Sequence, residues 1–214
     1  MKDIAIFGAG GYGREIACLI KRINYVEPVW NNIGFFDDNE LLQGTYNEYG
    51  KVLGGITDLN NWGTPLSIVI AIGAPNVVKT IFDRFDNANL EFPNLIDPNV
   101  EFMDRANVRM GKGNIVCLGC TISCNVEIGN FNLFNVGAGV GHDASLGNFN
   151  VVMPNVNISG GVKMGDCNML GVKSTVLQNI VIGNNVKLGA SSLLMKNTND
   201  DCLYIGTPAK LFKY

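Results

Sequence analysis

Ile128-Gly-Asn-Phe-Asn-Leu-Phe134-Asn-Val-Gly-Ala-Gly-Val140-Gly-His-Asp-Ala-Ser-Leu146 carries an apolar residue at every sixth position. The period runs without a gap through Val116, Ile122, Ile128, Phe134, Val140, Leu146, Val152, Ile158, Met164, Leu170, Val176, Ile182, Leu188 and Leu194. The residue after the anchor is often glycine, as at Gly129, Gly141, Gly147, Gly165, Gly171, Gly183 and Gly189. Four places past the anchor, from Cys120 to Ser192, the residue is small, β-branched or an amide. A fixed six-residue period is the signature of a parallel β-helix. Each unit supplies one short strand and a corner, and three units close a coil of eighteen residues. Anchors point inward and stack on those of the next coil, about 4.8 Å away. An antiparallel sandwich would show strands of period two with irregular turns, which this series does not fit. The same phase, displaced by two residues, extends back through Val108, Phe102 and Ile96. The glycine content, 26 residues in 214, is well above the usual share of about 7% and suits a fold with many tight corners.

The first part of the chain has another rhythm. Asp3 to Phe7 reads as a strand and Gly8-Ala-Gly10-Gly-Tyr-Gly13 as a turn. A helix pattern follows at Ile16, Ala17, Leu19, Ile20 and Ile23. Further strands are expected at Ile33 to Phe36, ending on Asp37-Asp38, and at Ser67 to Ile72, ending in Gly73, with a helix over Asn76 to Phe85. Strands alternating with helices imply a parallel sheet. The expected organisation is therefore a Rossmann-like α/β domain over residues 1–95, then a parallel β-helix over residues 96–214 with a C-terminal cap.

Bulk properties exclude several classes. A net charge of -3 argues against nucleic acid as a partner, since phosphate binding needs a basic surplus. The longest apolar run, Ile68 to Ala74, is too short to span a bilayer, and the N-terminus does not read as a signal peptide. A cytoplasmic protein is expected. Cys117-x-x-Cys120, even with Cys124, lacks the ligands of a tetrahedral zinc site in a chain with one histidine, so the expectation is no metal. The cysteines read as small core residues.

The hexapeptide series, Asn135-Val-Gly-Ala-Gly-Val-Gly-His142-Asp143, Ser159-Gly-Gly-Val-Lys-Met-Gly-Asp166, Gly206-Thr-Pro-Ala-Lys210, the Gly8-to-Gly13 turn and Phe36-Asp37-Asp38 together resemble the hexapeptide-repeat nucleotide-sugar acetyltransferases of the sialic acid O-acetyltransferase and bacillosamine N-acetyltransferase type. The resemblance covers nearly the whole chain. It implies a left-handed β-helix, a homotrimer, acetyl-CoA in a groove between neighbouring β-helices and a nucleotide-linked sugar held by the N-terminal domain. It also implies that His142 is the general base, with Asp143 raising its basicity.

The residues support that chemistry independently. His142 is the only histidine and stands two places past the anchor Val140, so it should face away from the core. Attack of an amine or hydroxyl on a thioester requires removal of a proton, which histidine does near neutral pH. Asp143 would orient the imidazole and stabilise its cation, provided that a corner turns the two side chains together. The developing thioester oxyanion calls for backbone N–H donors. Asn135 is a candidate for placing the acceptor sugar. Gly141 departs from the acidic residue more usual there in the resembling proteins. By resemblance, Val151, Val172 and Ala190 line the CoA groove, with Gly161 and Gly189 allowing close approach. Lys187, Lys196 and Lys210 are candidates for CoA phosphates, with a solvated surface role as the alternative.

In the first domain, Gly8, Gly10 and Gly13 form GxGxxG between a strand and a helix, where amides cradle phosphate. Asp37 follows Gly13 by 24 residues, the interval of a ribose-binding acid. By resemblance Gly10, Gly11, Tyr12, Asp37, Asp38 and Gly73 contact the nucleotide-sugar. One βαβ half suits a mononucleotide better than a dinucleotide. Two other readings remain at this level: an NAD(P)-dependent oxidoreductase with a β-helical oligomerisation domain, and a non-catalytic trimeric scaffold.

Overall fold

The computed structural model describes residues 1–212. Of the expected C-terminal cap, Lys213 and Tyr214 lie outside the described residues. The chain forms two compact units. One comprises Met1–Gly73 with Val77–Pro98, and the other Ala74–Asn76 with Asn99–Tyr214. They are an α/β unit and a parallel β-helix, as the two sequence periods imply, and the β-helix is left-handed, as the resemblance implies.

The first unit is built on β1 (Lys2–Phe7), α1 (Gly11–Val26), β2 (Trp30–Phe36), β3 (Tyr46–Asn47), β4 (Gly50–Gly54), α2 (Ile56–Asn60), β5 (Leu66–Ile70), α3 (Pro75–Phe82), β6 (Leu90–Glu91) and β7 (Leu95–Ile96). Its six-stranded sheet has the order β3-β4-β2-β1-β5-β6. β1 is parallel to β2 on one side and to β5 on the other. The chain therefore reverses its direction of travel across the sheet at β1. The centre is dry, with Ile4, Ala5, Ile6, Phe35, Phe36, Leu59 and Ile68 at or near zero exposure. α1 turns Ile16, Ala17, Leu19 and Ile20 inward at helical spacing. Asp97 is buried and receives two bonds from the Arg22 guanidinium, at 2.5 and 3.1 Å. The hairpin β3–β4 and the short α2 were not anticipated from sequence. They are too short for any period to establish itself.

In the second unit, strands of two or three residues stack with an offset of eighteen, except in the first and last coils. Ile115–Val116, Leu133–Phe134, Val151–Val152, Met169–Leu170 and Lys187–Leu188 form the first face. Glu101–Phe102, Thr121–Ile122, Gly139–Val140, Asn157–Ile158, Thr175–Val176 and Leu193–Leu194 form the second. Val108–Met110, Val126–Ile128, Ser145–Leu146, Lys163–Met164 and Val181–Ile182 form the third. From Val116 to Leu194 every anchor is buried, and so is every residue four places past an anchor, from Cys120 to Ser192. Two inward rows per strand thus fill the bore. Cys120 belongs to the second row, and its thiol donates to Asn135 O (3.1 Å).

The two-residue phase shift falls elsewhere than the sequence suggested. Met110 pairs with Ile128, so the main phase reaches back to Met110, and Val108 is not an anchor but a second-row residue opposite Val126. Phe102 pairs with Ile122 at an offset of twenty. The 3-10 turn Arg105–Asn107 takes up the extra pair of residues at a corner, where no ladder bond is lost. The last coil is shorter by two: Lys187 pairs with Leu203 and Leu188 with Tyr204. There the chain turns into an antiparallel hairpin, Leu203–Gly206 with Ala209–Phe212.

One ladder of buried amides stitches the coils. Asn114, Asn132, Asn150 and Asn168 are all nearly inaccessible. Asn150 donates N–H and Nδ2 to Asn132 Oδ1 (2.9 and 3.0 Å) and Nδ2 also to Gly165 O (2.9 Å). Its own Oδ1 accepts from Asn168 N–H and Nδ2 (2.9 and 3.0 Å). Replacing Asn150 by alanine leaves buried donors of Asn168 and the Gly165 carbonyl without partners. Each such orphan costs about 1–3 kcal/mol. Asn150→Ala should lower unfolding stability by about 2–4 kcal/mol, read by urea denaturation; a loss under about 0.5 kcal/mol would contradict the ladder's role.

Candidate active site

The corner between the second and third faces carries His142 and Asp143. Asp143 has a left-handed backbone (φ 58°), which swings its side chain round to that of its neighbour. His142 Nδ1 and Asp143 Oδ2 lie 2.7 Å apart. An ionised carboxylate only accepts, so Nδ1 carries the proton, which in a neutral ring leaves the lone pair on Nε2. The corner is the requirement that the sequence set for a direct bond between adjacent residues, and it is present. Both side chains are open to solvent, at 64% and 58% exposure. The Asp143 carboxyl is held below the usual carboxylate range, first by the bond from His142 and second by one from Asn125.

Neighbouring coils hold this corner from both sides. Asp143 N–H donates to Cys124 O (3.1 Å), and Gly161 N–H donates to His142 O (2.8 Å). Asn125 Nδ2 donates to Asp143 Oδ1 (3.2 Å). Gly160 lies one coil after His142, and a Cβ there would come within 2.6 Å of His142 Cε1 and Nε2. Gly141 has a steric reason as well, because a Cβ would come within 2.5 Å of Gly160 N. A larger residue there would force the coils apart, whatever its charge. Beside the dyad opens a polar recess of about 390 Å³ lined by Asn107, Arg109, Asn125, Glu127, Asp143 and Ser145. Asn125 and Gly160 were not singled out from sequence, although one coil length subtracted from Asp143 or added to His142 locates them.

The other residues assigned from sequence to the β-helix divide between places. Gly161 shares the corner of His142. Asn135, Val172, Gly189 and Ala190 lie on the corner between the first and second faces, where Ser191 N–H donates to Val172 O (2.8 Å). Asn135 Oδ1 accepts from Val136 N–H (2.7 Å), a local turn contact. Val151 is in a first-face strand and is 1% exposed, so its side chain lines no open surface of the chain. Ala190 is exposed, whereas Val172 and Gly189 are half-buried. One chain alone therefore does not place these groups along one wall with His142.

In the α/β unit, Gly10, Gly11, Tyr12, Asp37, Asp38 and Gly73 gather at the carboxyl ends of β1, β2 and β5. That is the switch point where open parallel sheets bind ligands. The three glycines of the motif differ in purpose. Gly8 (φ 110°) packs against Ala71 O, and a Cβ on Gly13 would collide with Gly8 O. A Cβ on Gly10 would meet nothing within 4 Å, so the space over it is open. Asp37 braces the loop: Oδ2 accepts from Ala9 N–H (2.8 Å) and Oδ1 from Asn39 N–H (2.9 Å). Asp38 accepts from Ile56 N–H (2.9 Å) and pairs with Arg84 (2.6 Å). Both acids thus have structural bonds that the sequence did not reveal, beside whatever lone pairs they offer a ligand.

Among the described residues no helix is long and apolar enough to cross a membrane, and no group of three or more His, Cys, Asp or Glu is arranged to hold a metal.

Residues 3–85 match the PglD N-terminal domain family. No curated protein matches the sequence. Among solved structures, the chain is similar to the acetyltransferase domain of PglB from Neisseria gonorrhoeae, at TM-score 0.88 and 24% identity over 99% of this chain and 100% of that one. A second structure of that domain is in complex with acetyl coenzyme A. PerB from Caulobacter crescentus, in complex with CoA and GDP-perosamine, matches at TM-score 0.82 and 25% identity over 100% of this chain and 98% of that one. WeeI from Acinetobacter baumannii matches at TM-score 0.88 and 21% identity over 99% of this chain and 100% of that one.

Two substitutions test the site's packing. Gly160→Ala meets only the movable end of His142, so the fold should hold while the imidazole is displaced. The nuclear magnetic resonance signals of the His142 ring should shift, with the melting temperature nearly unchanged. Gly13→Ala meets backbone, which does not yield, and should cost about 1–3 kcal/mol. Gly10→Ala should cost less than about 1 kcal/mol. Chemical denaturation of the pair checks the contrast.

Proposed function

We propose that this protein transfers the acetyl group of acetyl-CoA to the amino group of a nucleotide-activated amino sugar, with His142 as general base. The observation that carries the reading is the His142–Asp143 pair, set on a β-helix corner with both side chains open to solvent. The acceptor amine attacks the thioester carbonyl carbon while its proton passes to His142 Nε2. Asp143 stabilises the imidazolium. As the tetrahedral intermediate collapses, the C–S bond breaks and the CoA sulfur takes the proton back from His142. The similarity to chains whose structures hold acetyl coenzyme A, or CoA with GDP-perosamine, supports the choice of donor and acceptor class.

Residues 1–95 take the nucleotide part of the acceptor in this reading, over Gly10 and Gly11 and beside Tyr12, Asp37, Asp38 and Gly73. The open space over Gly10 favours that side of the sheet. Residues 96–214 supply the transfer site. Val172, Gly189 and Ala190 stand on a different corner from His142, which supports a homotrimer in which the CoA groove is completed by the corner of a neighbouring copy. Gly161 on one wall and Gly189 on the other leave room for pantetheine, and Val151 contributes through the backbone.

His142→Ala should reduce turnover by about 10²–10⁴-fold, the usual contribution of a general base. Retention of near wild-type turnover would remove His142 from the mechanism. The acceptor is found by incubating the protein and acetyl-CoA with UDP-, GDP-, CMP- and dTDP-linked amino sugars. Amide formation on one of them is expected. Ester formation on a sialic acid would convert the reading to O-acetylation, and tight NADH binding without acetyl transfer would favour an oxidoreductase.

A further inference from the structure

We propose that Asn125 is a positioning residue that locks Asp143, and through it the proton of His142, in the orientation needed for general-base action; this rests on the role given to His142 above. Asn125 stands one coil before Asp143. The pairs Ile122 with Val140 and Glu127 with Ser145 bracket the two corners and fix their register. Both residues are in the left-handed region, at φ 55° and 58°, so their side chains leave the corner in the same direction. The carboxylate of Asp143 is then held at each end, with Oδ1 accepting from Asn125 Nδ2 (3.2 Å) and Oδ2 facing His142 Nδ1 (2.7 Å).

The second contact matters because Asp143 is exposed. A solvent-facing carboxylate with one partner rotates freely and exchanges that partner for water. Held through Oδ1, it keeps Oδ2 aimed at the imidazole. Only acceptor groups of Asp143 meet the ring, so the arrangement selects the tautomer protonated at Nδ1. The other tautomer, with the proton on Nε2, cannot receive a proton from the acceptor. A wrong tautomer of this kind severely impairs a catalytic histidine even where its geometry is intact. The bond from Asn125 also favours the ionised form of Asp143, the form that stabilises the imidazolium.

A similar amide–carboxylate bond occurs without a histidine on the corner between the third and first faces. Asn185 Nδ2 donates to Asp201 Oδ1 (2.6 Å), also between successive coils. Asn185 Oδ1 also accepts from Asn76 Nδ2 (2.9 Å), so this site is a control for removing a corner amide away from the histidine. Glycine is the appropriate replacement at both sites, since it keeps the left-handed backbone while removing the amide.

Because His142 is the only histidine, its ring nitrogens give one set of signals in the full-length protein labelled with ¹⁵N-histidine. At a pH where the ring is neutral, the wild type is expected to show Nδ1 protonated and Nε2 bare. Asn125→Gly should shift the population towards the Nε2–H form, and Asn185→Gly should not. Transfer from acetyl-CoA to GDP-perosamine, or to the faster acceptor of the nucleotide-sugar panel, should fall about tenfold in kcat for Asn125→Gly, with KM for acetyl-CoA unchanged. In an Asp143→Ala background the same change should have no further effect, since the two act as a unit. An unaltered tautomer in Asn125→Gly overturns the proposal, as does an equal loss in the Asp143→Ala background. If His142→Ala is inactive but Asn125→Gly is wild-type in both readouts, the positioning role alone fails. Full activity of His142→Ala would overturn the general-base reading together with the proposal.

Discussion

An offset of eighteen residues between stacked strands governs the β-helix. Between the first and last coils the ladder bonds of the three faces depend on it, and so do the corner contacts between coils. Where the register is kept, residues eighteen apart share an environment. Asn132, Asn150 and Asn168 therefore bond one another in the core, and His142 finds Gly160 across its ring. Where the chain has two residues too many or too few, the deviation is placed at a corner, before Val108 and after Leu194. Strands of two residues have no room for an insertion without losing their ladder pairing.

The same register converts an exposed surface position into an organised one. A histidine on a solvent-facing corner has little packing to orient it. Here its backbone is tied to the next coil through Gly161, its carboxylate partner to the preceding coil through Cys124 and Asn125, and its ring has room because residue 160 has no Cβ. Orientation comes from neighbours above and below rather than from burial. The ring stays accessible while the bonds behind it are fixed.

The α/β unit solves a different problem by a similar economy of backbone. Gly8 and Gly13 allow strand and helix to approach, whereas Gly10 leaves space. Asp37 fastens the loop through the Ala9 amide. Its position after β2 reads in sequence as a ligand-binding acid; its bonds make it a brace for the loop. The residue type and interval are common to both roles, and only the partner distinguishes them.

Much of the molecule was legible in the chain. Local periodicity specified the two architectures, the anchor row, the second row of small and amide residues, and the outward direction of His142. These depend on alternation and on corner spacing, which neighbouring residues set between them. Contacts between coils were legible only in principle, because they require the register to be known to the residue: Asn125 beneath Asp143, Gly160 against His142 and the true place of the two-residue shift all emerged from strand pairing. The separation of His142 from Val172, Gly189 and Ala190 onto different corners is likewise a property of the closed coil. Sequence by itself determined which residues repeat and which way they point; the tertiary structure decided which of them meet, because contact between coils is fixed by hydrogen-bonded register and not by distance along the chain.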